Sequence, residues 1–66
     1  MTPTEVKQAA DEMVGVFGPY MAIEHCKLVI EVLDKFEDFV FPESYIVEQT
    51  INEHRLILSE LEGRVK

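Results

Sequence analysis

The chain has only one cysteine, Cys26, among its 66 residues. No disulfide can form within it, and a lone thiol is typical of a reducing, cytoplasmic setting. Its glycines are isolated, which excludes a glycine-rich phosphate-binding loop. No apolar run exceeds a few residues, so the sequence predicts no membrane-spanning helix. The residues after Met1 lack the basic and apolar regions of a signal peptide.

Basic residues are scarce: 6 Lys and Arg stand against 13 Asp and Glu, for a net charge of −7. This excess of acidic residues disfavours direct binding to DNA, RNA or an anionic membrane, because all three are negatively charged and bind basic protein surfaces. It favours solubility or a basic partner. The length predicts one domain, residues 1–66, whose core is small enough to depend on close helix packing or a partner subunit.

The first helix has a clear beginning and end. Thr2-Pro3-Thr4-Glu5 places Thr2 at the N-cap, Pro3 at the first helical position and Glu5 three residues after the cap, which is a capping box. Apolar residues then recur at helical spacing, and Gly18-Pro19 ends the pattern. The sequence therefore predicts a helix over about 3–17.

The second helix is predicted over about 21–40, and it is apolar around much of its circumference. At 100° per residue its apolar arc covers roughly 220°, whereas one-sided packing needs only a little over 100°. It is therefore either the central helix or part of an oligomer interface. Its main stripe has the heptad spacing of packed helices: Ala22, Cys26, Val29, Leu33, Phe36 and Val40.

The third helix is predicted over about 45–62, after a break at Phe41-Pro42-Glu43-Ser44 and before a stop at Gly63. Its apolar arc is narrower, near 140° by the same construction. Because the break is short, the second and third helices must run antiparallel. The predicted fold is all-α: a short N-terminal helix packed on a long antiparallel hairpin, with dimerisation as one way to complete a helical bundle.

The best candidates for metal binding or nucleophilic chemistry are His25, Cys26 and His54. His25 and Cys26 are adjacent, so they point about 100° apart on a helix. A hairpin centred near residue 43 separates Cys26 from His54 by about two turns. We therefore expect Cys26 to be a buried core residue and His25 a flank residue. The sequence predicts no catalytic, cofactor or metal site, and no enzyme.

His54 lies within the apolar stripe of the third helix. A buried imidazole needs a partner for its N–H group, and Thr50, one turn earlier, or a carboxylate across a subunit interface would serve. With such a partner, His54 is a core or interface residue whose N–H group is hydrogen-bonded. The alternative is a pH-sensitive packing element, because histidine titrates near neutrality.

Two surface features favour binding to another protein. The first is an acidic tip of the hairpin, which would meet a basic patch and lacks the ligand spacing of a calcium loop; it comprises Asp34, Glu37, Asp38 and Glu43. The second is apolar surface beyond what a two-helix contact buries, which usually marks a protein interface. These interface candidates are Met21, Leu28, Val32, Phe39, Tyr45 and Leu56. If the N-terminal helix covers the second helix completely, the chain is instead a monomer.

Five segments of the chain share a further pattern: Met1-Thr2-Pro3, Ala9–Met13, His25-Cys26-Lys27-Leu28-Val29, Val32-Leu33-Asp34 and Tyr45–Leu61. Through these segments the sequence resembles a group of short, uncharacterised helical proteins encoded by bacteroidete genomes and their phages. Val32-Leu33-Asp34 only approximates the Val-Asp-Glu segment of that group, and Tyr45-Ile46 has one aromatic residue instead of two. The resemblance implies a phage or mobile-element origin and implies no site residues.

Together these features predict a small acidic, non-enzymatic protein-binding module that self-associates or binds another protein. The alternative is an acidic mimic of nucleic acid that blocks a host DNA- or RNA-binding protein. A mimic would carry a regular one-sided array of carboxylates, whereas Lys27, Lys35 and Arg55 interrupt the charged faces here. A third class, an enzyme or ligand binder with a pocket at a subunit interface, would need a titratable cluster at a two-fold axis.

Overall fold

The computed structural model describes residues 1–36 and 44–65, and it places three helices in that part of the chain: α1 (Pro3–Phe17), α2 (Pro19–Phe36) and α3 (Ser44–Arg64). Each helix packs against the other two. The predicted all-α fold of three helices is confirmed. The predicted extension of the second helix to residue 40 lies outside the described residues, as do Glu37, Asp38, Phe39 and Glu43.

The helix bounds differ slightly from those read from the sequence. α1 has the predicted range, whereas α2 begins at Pro19, two residues earlier than predicted, because proline is favoured in the first turn of a helix. α3 begins at Ser44 itself and continues through Gly63 to Arg64. The predicted stop at Gly63 was wrong, since an isolated glycine weakens a helix without ending it.

The N-terminus of α1 is fixed by the predicted capping box. The Thr2 hydroxyl accepts a hydrogen bond from the Glu5 amide at 3.2 Å, and the Glu5 carboxylate accepts one from the Thr2 amide at 2.9 Å. The bond from the Thr2 backbone, followed by that from its side chain, holds the pKa of Glu5 below its ordinary value of 4.5. The two residues thus satisfy amides that a helix start leaves without partners.

Gly18 forms the corner between α1 and α2. Its backbone has φ 83° and ψ 165°, a region open almost only to glycine, and its amide donates to the Val14 carbonyl at 2.9 Å. The helices diverge by 112° at this break. No single helix in the described residues combines the length and apolar composition of a membrane span, and Pro3–Phe17 with Pro19–Lys35 has them only as a bent pair.

The core lies where α1 crosses the hairpin. It joins the N-terminal half of α2 to the C-terminal half of α3, and its members are Val6, Ala10, Ala22, Ile23, Cys26, Ile57 and Leu61. Farther along α2, Val29, Ile30 and Leu33 are only half-buried. Burial of apolar side chains is therefore concentrated at one end of the molecule, which leaves the rest of α2 more open to solvent.

Candidate protein-binding surface

The outer side of α2 carries a row of exposed apolar side chains, which we call the α2 stripe: Met21, Leu28 and Val32. Their exposed fractions are 60%, 60% and 41%. Spacings of seven and four residues place them within about 40° of one another around the helix. The apolar surplus predicted for the second helix thus remains in solvent at these three positions, because α1 packs on another side of α2.

The α2 stripe continues at Met21 into the corner between α1 and α2. Val16, Phe17 and Tyr20 are exposed there, with Val16 and Tyr20 more than 70% accessible. The Phe17 ring stacks on His25, with 4.9 Å between the ring centroids. The corner therefore adds exposed apolar side chains at the end of α1 to those of α2, and exposed apolar surface beyond scattered single residues is typical of protein interfaces.

One flank of the α2 stripe is a row of charges of alternating sign, which we call the charged row: Glu24, Lys27, Glu31 and Lys35. Lys27 Nζ lies 3.9 Å from Glu24 Oε1, and Lys35 Nζ lies 3.4 Å from Glu31 Oε1. All four side chains are at least half exposed. Glu31 lies four residues before Lys35, which is the favoured order for an ion pair along a helix.

The remaining predicted interface residues lie on a different face. Tyr45 and Leu56 are 65% and 47% exposed. They line a shallow groove on α3 together with Met1 and polar residues, and no residue of the α2 stripe lines it. The interface candidates therefore divide between two surfaces, while Phe39 lies outside the described residues. Of the acidic tip, only Asp34 is described, and it is exposed.

His25 and His54 lie side by side between α2 and α3. Their ring centroids are 6.3 Å apart and the ring planes are tilted by 53°. The sequence reasoning missed this proximity, since its hairpin register separated Cys26 from His54 by about two turns and it treated the neighbouring His25 as a flank residue. His25 is half-buried and is covered by Phe17, so its position depends on the corner as well as on the hairpin.

His54 is half-buried and bonded within its own helix. Its Nδ1 lies 2.9 Å from the Thr50 carbonyl oxygen. A carbonyl only accepts, so Nδ1 carries the proton in the neutral ring and Nε2 is left as the acceptor. Thr50 is the residue predicted as its partner, although the contact is made by the backbone oxygen and not by the hydroxyl, which donates to the Ile46 carbonyl at 2.9 Å.

Cys26 is fully buried, as predicted, and its Sγ donates to Met13 Sδ at 3.6 Å. Burial raises the pKa of the thiol above its ordinary value of 9.0. The thiol therefore stays protonated at neutral pH and out of reach of a substrate, which is the opposite of an activated nucleophile. Within residues 1–36 and 44–65, no three His, Cys, Asp or Glu side chains come together as a metal site would require.

A wider groove lies where the start of α1 meets the end of α3. It has a volume of about 590 Å³ and is lined by Met1, Val6, Leu56 and Arg64 among others. The Arg64 guanidinium is held by carboxylates, with Nε 2.8 Å from Glu60 Oε2 and Nη1 2.7 Å from Asp11 Oδ1. The groove therefore presents a charge that is already compensated, which suits a structural contact better than recognition of an anion.

No family model matches the chain, and no curated protein or solved structure matches it significantly. The origin implied by the bacteroidete and phage resemblance stays a prediction. The surface that the fold leaves uncovered, and above all the α2 stripe with its charged row, is therefore the basis on which a function can be inferred.

Proposed function

We propose that this chain is a small, acidic, non-enzymatic protein-binding module that self-associates and acts by occupying the surface of a partner protein. The observation that carries the proposal is the α2 stripe. Three large apolar side chains at helical spacing stay 41% to 60% exposed on the helix that also supplies much of the core. Such a face on a small domain gains stability when a partner covers it.

The charges around the stripe support a protein partner over a mimic of nucleic acid. A mimic needs an unbroken face of carboxylates, but the two lysines of α2 each lie within 4 Å of a glutamate on the same helix. Arg64 likewise lies within 3 Å of Asp11 and Glu60. These pairs divide the acidic surface into short mixed segments, which favour a specific protein contact.

The test is the mass in solution, measured by light scattering or sedimentation from low to high micromolar concentration. We expect a dimer or a larger species that dissociates on dilution. Leu28→Glu should shift the protein to monomer, because it places a carboxylate in the middle of the stripe. A wild-type chain that stays monomeric throughout this range would contradict self-association.

The matched control is Leu56→Glu, which makes the same change at a leucine that is 47% exposed on the separate face of α3. It should leave the mass of the wild-type species unchanged. If Leu56→Glu dissociates the protein and Leu28→Glu does not, the binding surface is the α3 face with Tyr45. The assignment of the α2 stripe as the interface would then be wrong. Circular dichroism of both variants checks that the helices are retained.

A further inference from the structure

The charged row has a pattern that determines how two copies can meet. Along α2 the signs run acidic, basic, acidic, basic at Glu24, Lys27, Glu31 and Lys35. The row spans twelve residues, with about 16 Å of helix between its two ends. Reversing its direction turns each acidic position into a basic one. The row is therefore complementary to itself when two copies run antiparallel, and it is not when they run parallel.

We propose that a second copy of this chain binds along α2 in antiparallel orientation about a two-fold axis, in the register that sets Glu24 opposite Lys35 of the partner subunit. This inference rests on the proposed function, since it specifies the partner of the same α2 stripe. Two-fold symmetry requires one surface patch that matches itself, and the charged row meets that requirement.

The register that pairs the ends of the row also pairs its middle. To within one residue it sets Lys27 opposite Glu31 of the partner subunit. Because of the two-fold symmetry, the dimer contains the end pair twice and the middle pair twice. The same register brings Leu28 beside Val32 of the partner subunit on either side of the axis. Apolar contacts at the centre flanked by opposite charges are the usual arrangement of a helix-to-helix interface.

The order of charges in the charged row also distinguishes among the partners that could cover the α2 stripe. A parallel copy would place the two charged rows on opposite sides of the interface, so neither row would contact the other. A uniformly basic partner would meet the two lysines as well as the two glutamates. The antiparallel copy alone meets an opposite charge at each of the four positions, and all four side chains are at least half exposed and able to reach it.

Two double variants with identical composition test the pairing. Glu24→Lys with Lys35→Glu changes the order of signs to basic, basic, acidic, acidic, which remains complementary in the antiparallel dimer. Glu24→Lys with Lys27→Glu changes it to basic, acidic, acidic, basic, which sets like charges opposite each other at each contact. Both variants keep the net charge of −7, so general repulsion between copies does not distinguish them.

The two ion pairs within α2 separate an effect on helix stability from an effect on dimer pairing when the two double variants are compared. The first variant places like charges together in both ion pairs observed along the helix, Glu24 with Lys27 and Glu31 with Lys35. The second variant leaves opposite charges at both. An effect that came only from the stability of α2 would therefore weaken association in the first variant, whereas antiparallel pairing predicts that the second is weakened.

Sedimentation equilibrium at low salt is the measurement. We expect the first variant to dimerise within a few-fold of the wild type. We expect the second to have a dissociation constant about tenfold or more higher, because several exposed charge pairs become repulsive together. The difference should narrow at about 1 M salt, where the screening length falls to about 3 Å.

The outcomes separate this inference from the proposed function. Equal dissociation constants for the two variants, or a weaker first variant, would overturn antiparallel pairing; the proposed function would stand as long as Leu28→Glu still dissociates the protein. A wild-type chain that is monomeric at high micromolar concentration would overturn both. Dimers in which Leu28→Glu has no effect would overturn the α2 stripe as the contact and this pairing with it.

Discussion

Arg64 Nη1 lies 2.7 Å from Asp11 Oδ1, so the last turn of α3 is tied to the middle of α1 across 53 residues of chain. The same guanidinium donates through Nε to Glu60 at 2.8 Å and through Nη2 to the Lys7 carbonyl at 3.4 Å. These bonds, to Glu60 first and Asp11 second, raise the pKa of Arg64 above its ordinary value, so the guanidinium is charged at neutral pH.

The first prediction concerns this contact. Arg64→Ala should lower the midpoint of thermal unfolding by a few degrees, because it removes the bonds that hold the middle of α1 on α3. Arg64→Lys should recover only part of the loss, since an ammonium group cannot reproduce the forked geometry of a guanidinium. A double-mutant cycle with Asp11→Asn isolates the pair, and strictly additive effects would show that the two side chains do not interact.

The second prediction compares two glycines at the end of α1. Gly15 lies inside the helix, is exposed, and has nothing within 4 Å of the position a Cβ would take. Gly15→Ala should therefore raise the free energy of unfolding by about 0.5–1 kcal/mol, the difference between glycine and alanine in a helix. Chemical denaturation measures the change.

Gly18 is the matched contrast, because it has the same free space but a backbone φ of 83°. Gly18→Ala should lower the free energy of unfolding by about 1–3 kcal/mol, since an alanine there is strained whatever the space around it. A stabilising Gly18→Ala would mean that the corner is able to relax into another conformation, and the 112° bend would then have a different origin.

The third prediction concerns the thiol of Cys26. Because the side chain is fully buried, iodoacetamide should modify it in the native protein far more slowly than in the protein unfolded in urea. Since burial raises the pKa of the folded thiol above 9.0, the unfolded chain ionises first as pH rises. The protonated thiol's contribution to stability is therefore complete below about pH 9 and is lost as pH rises through the folded pKa.

The control for this pH dependence is Cys26→Ala, which has no thiol to titrate. At neutral pH it should be about 1 kcal/mol less stable than the wild type, because it leaves a small cavity. The difference should shrink above pH 9, where only the wild type loses the contribution of its thiol. A difference that stays constant from pH 7 to 10 would show that Cys26 is as easily ionised in the folded state as in the unfolded one.

Local signals in the sequence were enough to predict the start of α1, its end at Gly18 and the three helices. Each depends on residues close together in the chain, such as the capping box of Thr2 and Glu5. The end of α3 was misjudged at Gly63 because packing across helices decides whether a glycine stays helical. Arg64, one residue later, contacts α1, and a contact at that separation leaves no local pattern.

The same limit explains why the proximity of His25 and His54 was not predicted from the sequence. The relative position of α2 and α3 depends on how the helices pack as well as on the length of their connection. The assumed register placed residues 25 and 26 about two turns from His54, so it did not predict that His25 lies beside it. The exposure of Met21 and Leu28 was easier to foresee, because a short α1 cannot surround a helix that is apolar over about 220°. Which face would stay open depended on where α1 crosses.

The fourth prediction concerns His54, whose Nδ1 bonds the Thr50 carbonyl at 2.9 Å and whose ring lies 6.3 Å from that of His25. His54→Leu should keep the fold and leave stability unchanged or raise it by up to about 1 kcal/mol, because leucine fills a half-buried site without a polar group to satisfy. His54→Ala, which removes the same hydrogen bond and also the packing, should be less stable than His54→Leu. Loss of cooperative unfolding in His54→Leu would show instead that the fold requires the hydrogen bond from His54 to Thr50 within α3, and that His54 is a structural polar residue.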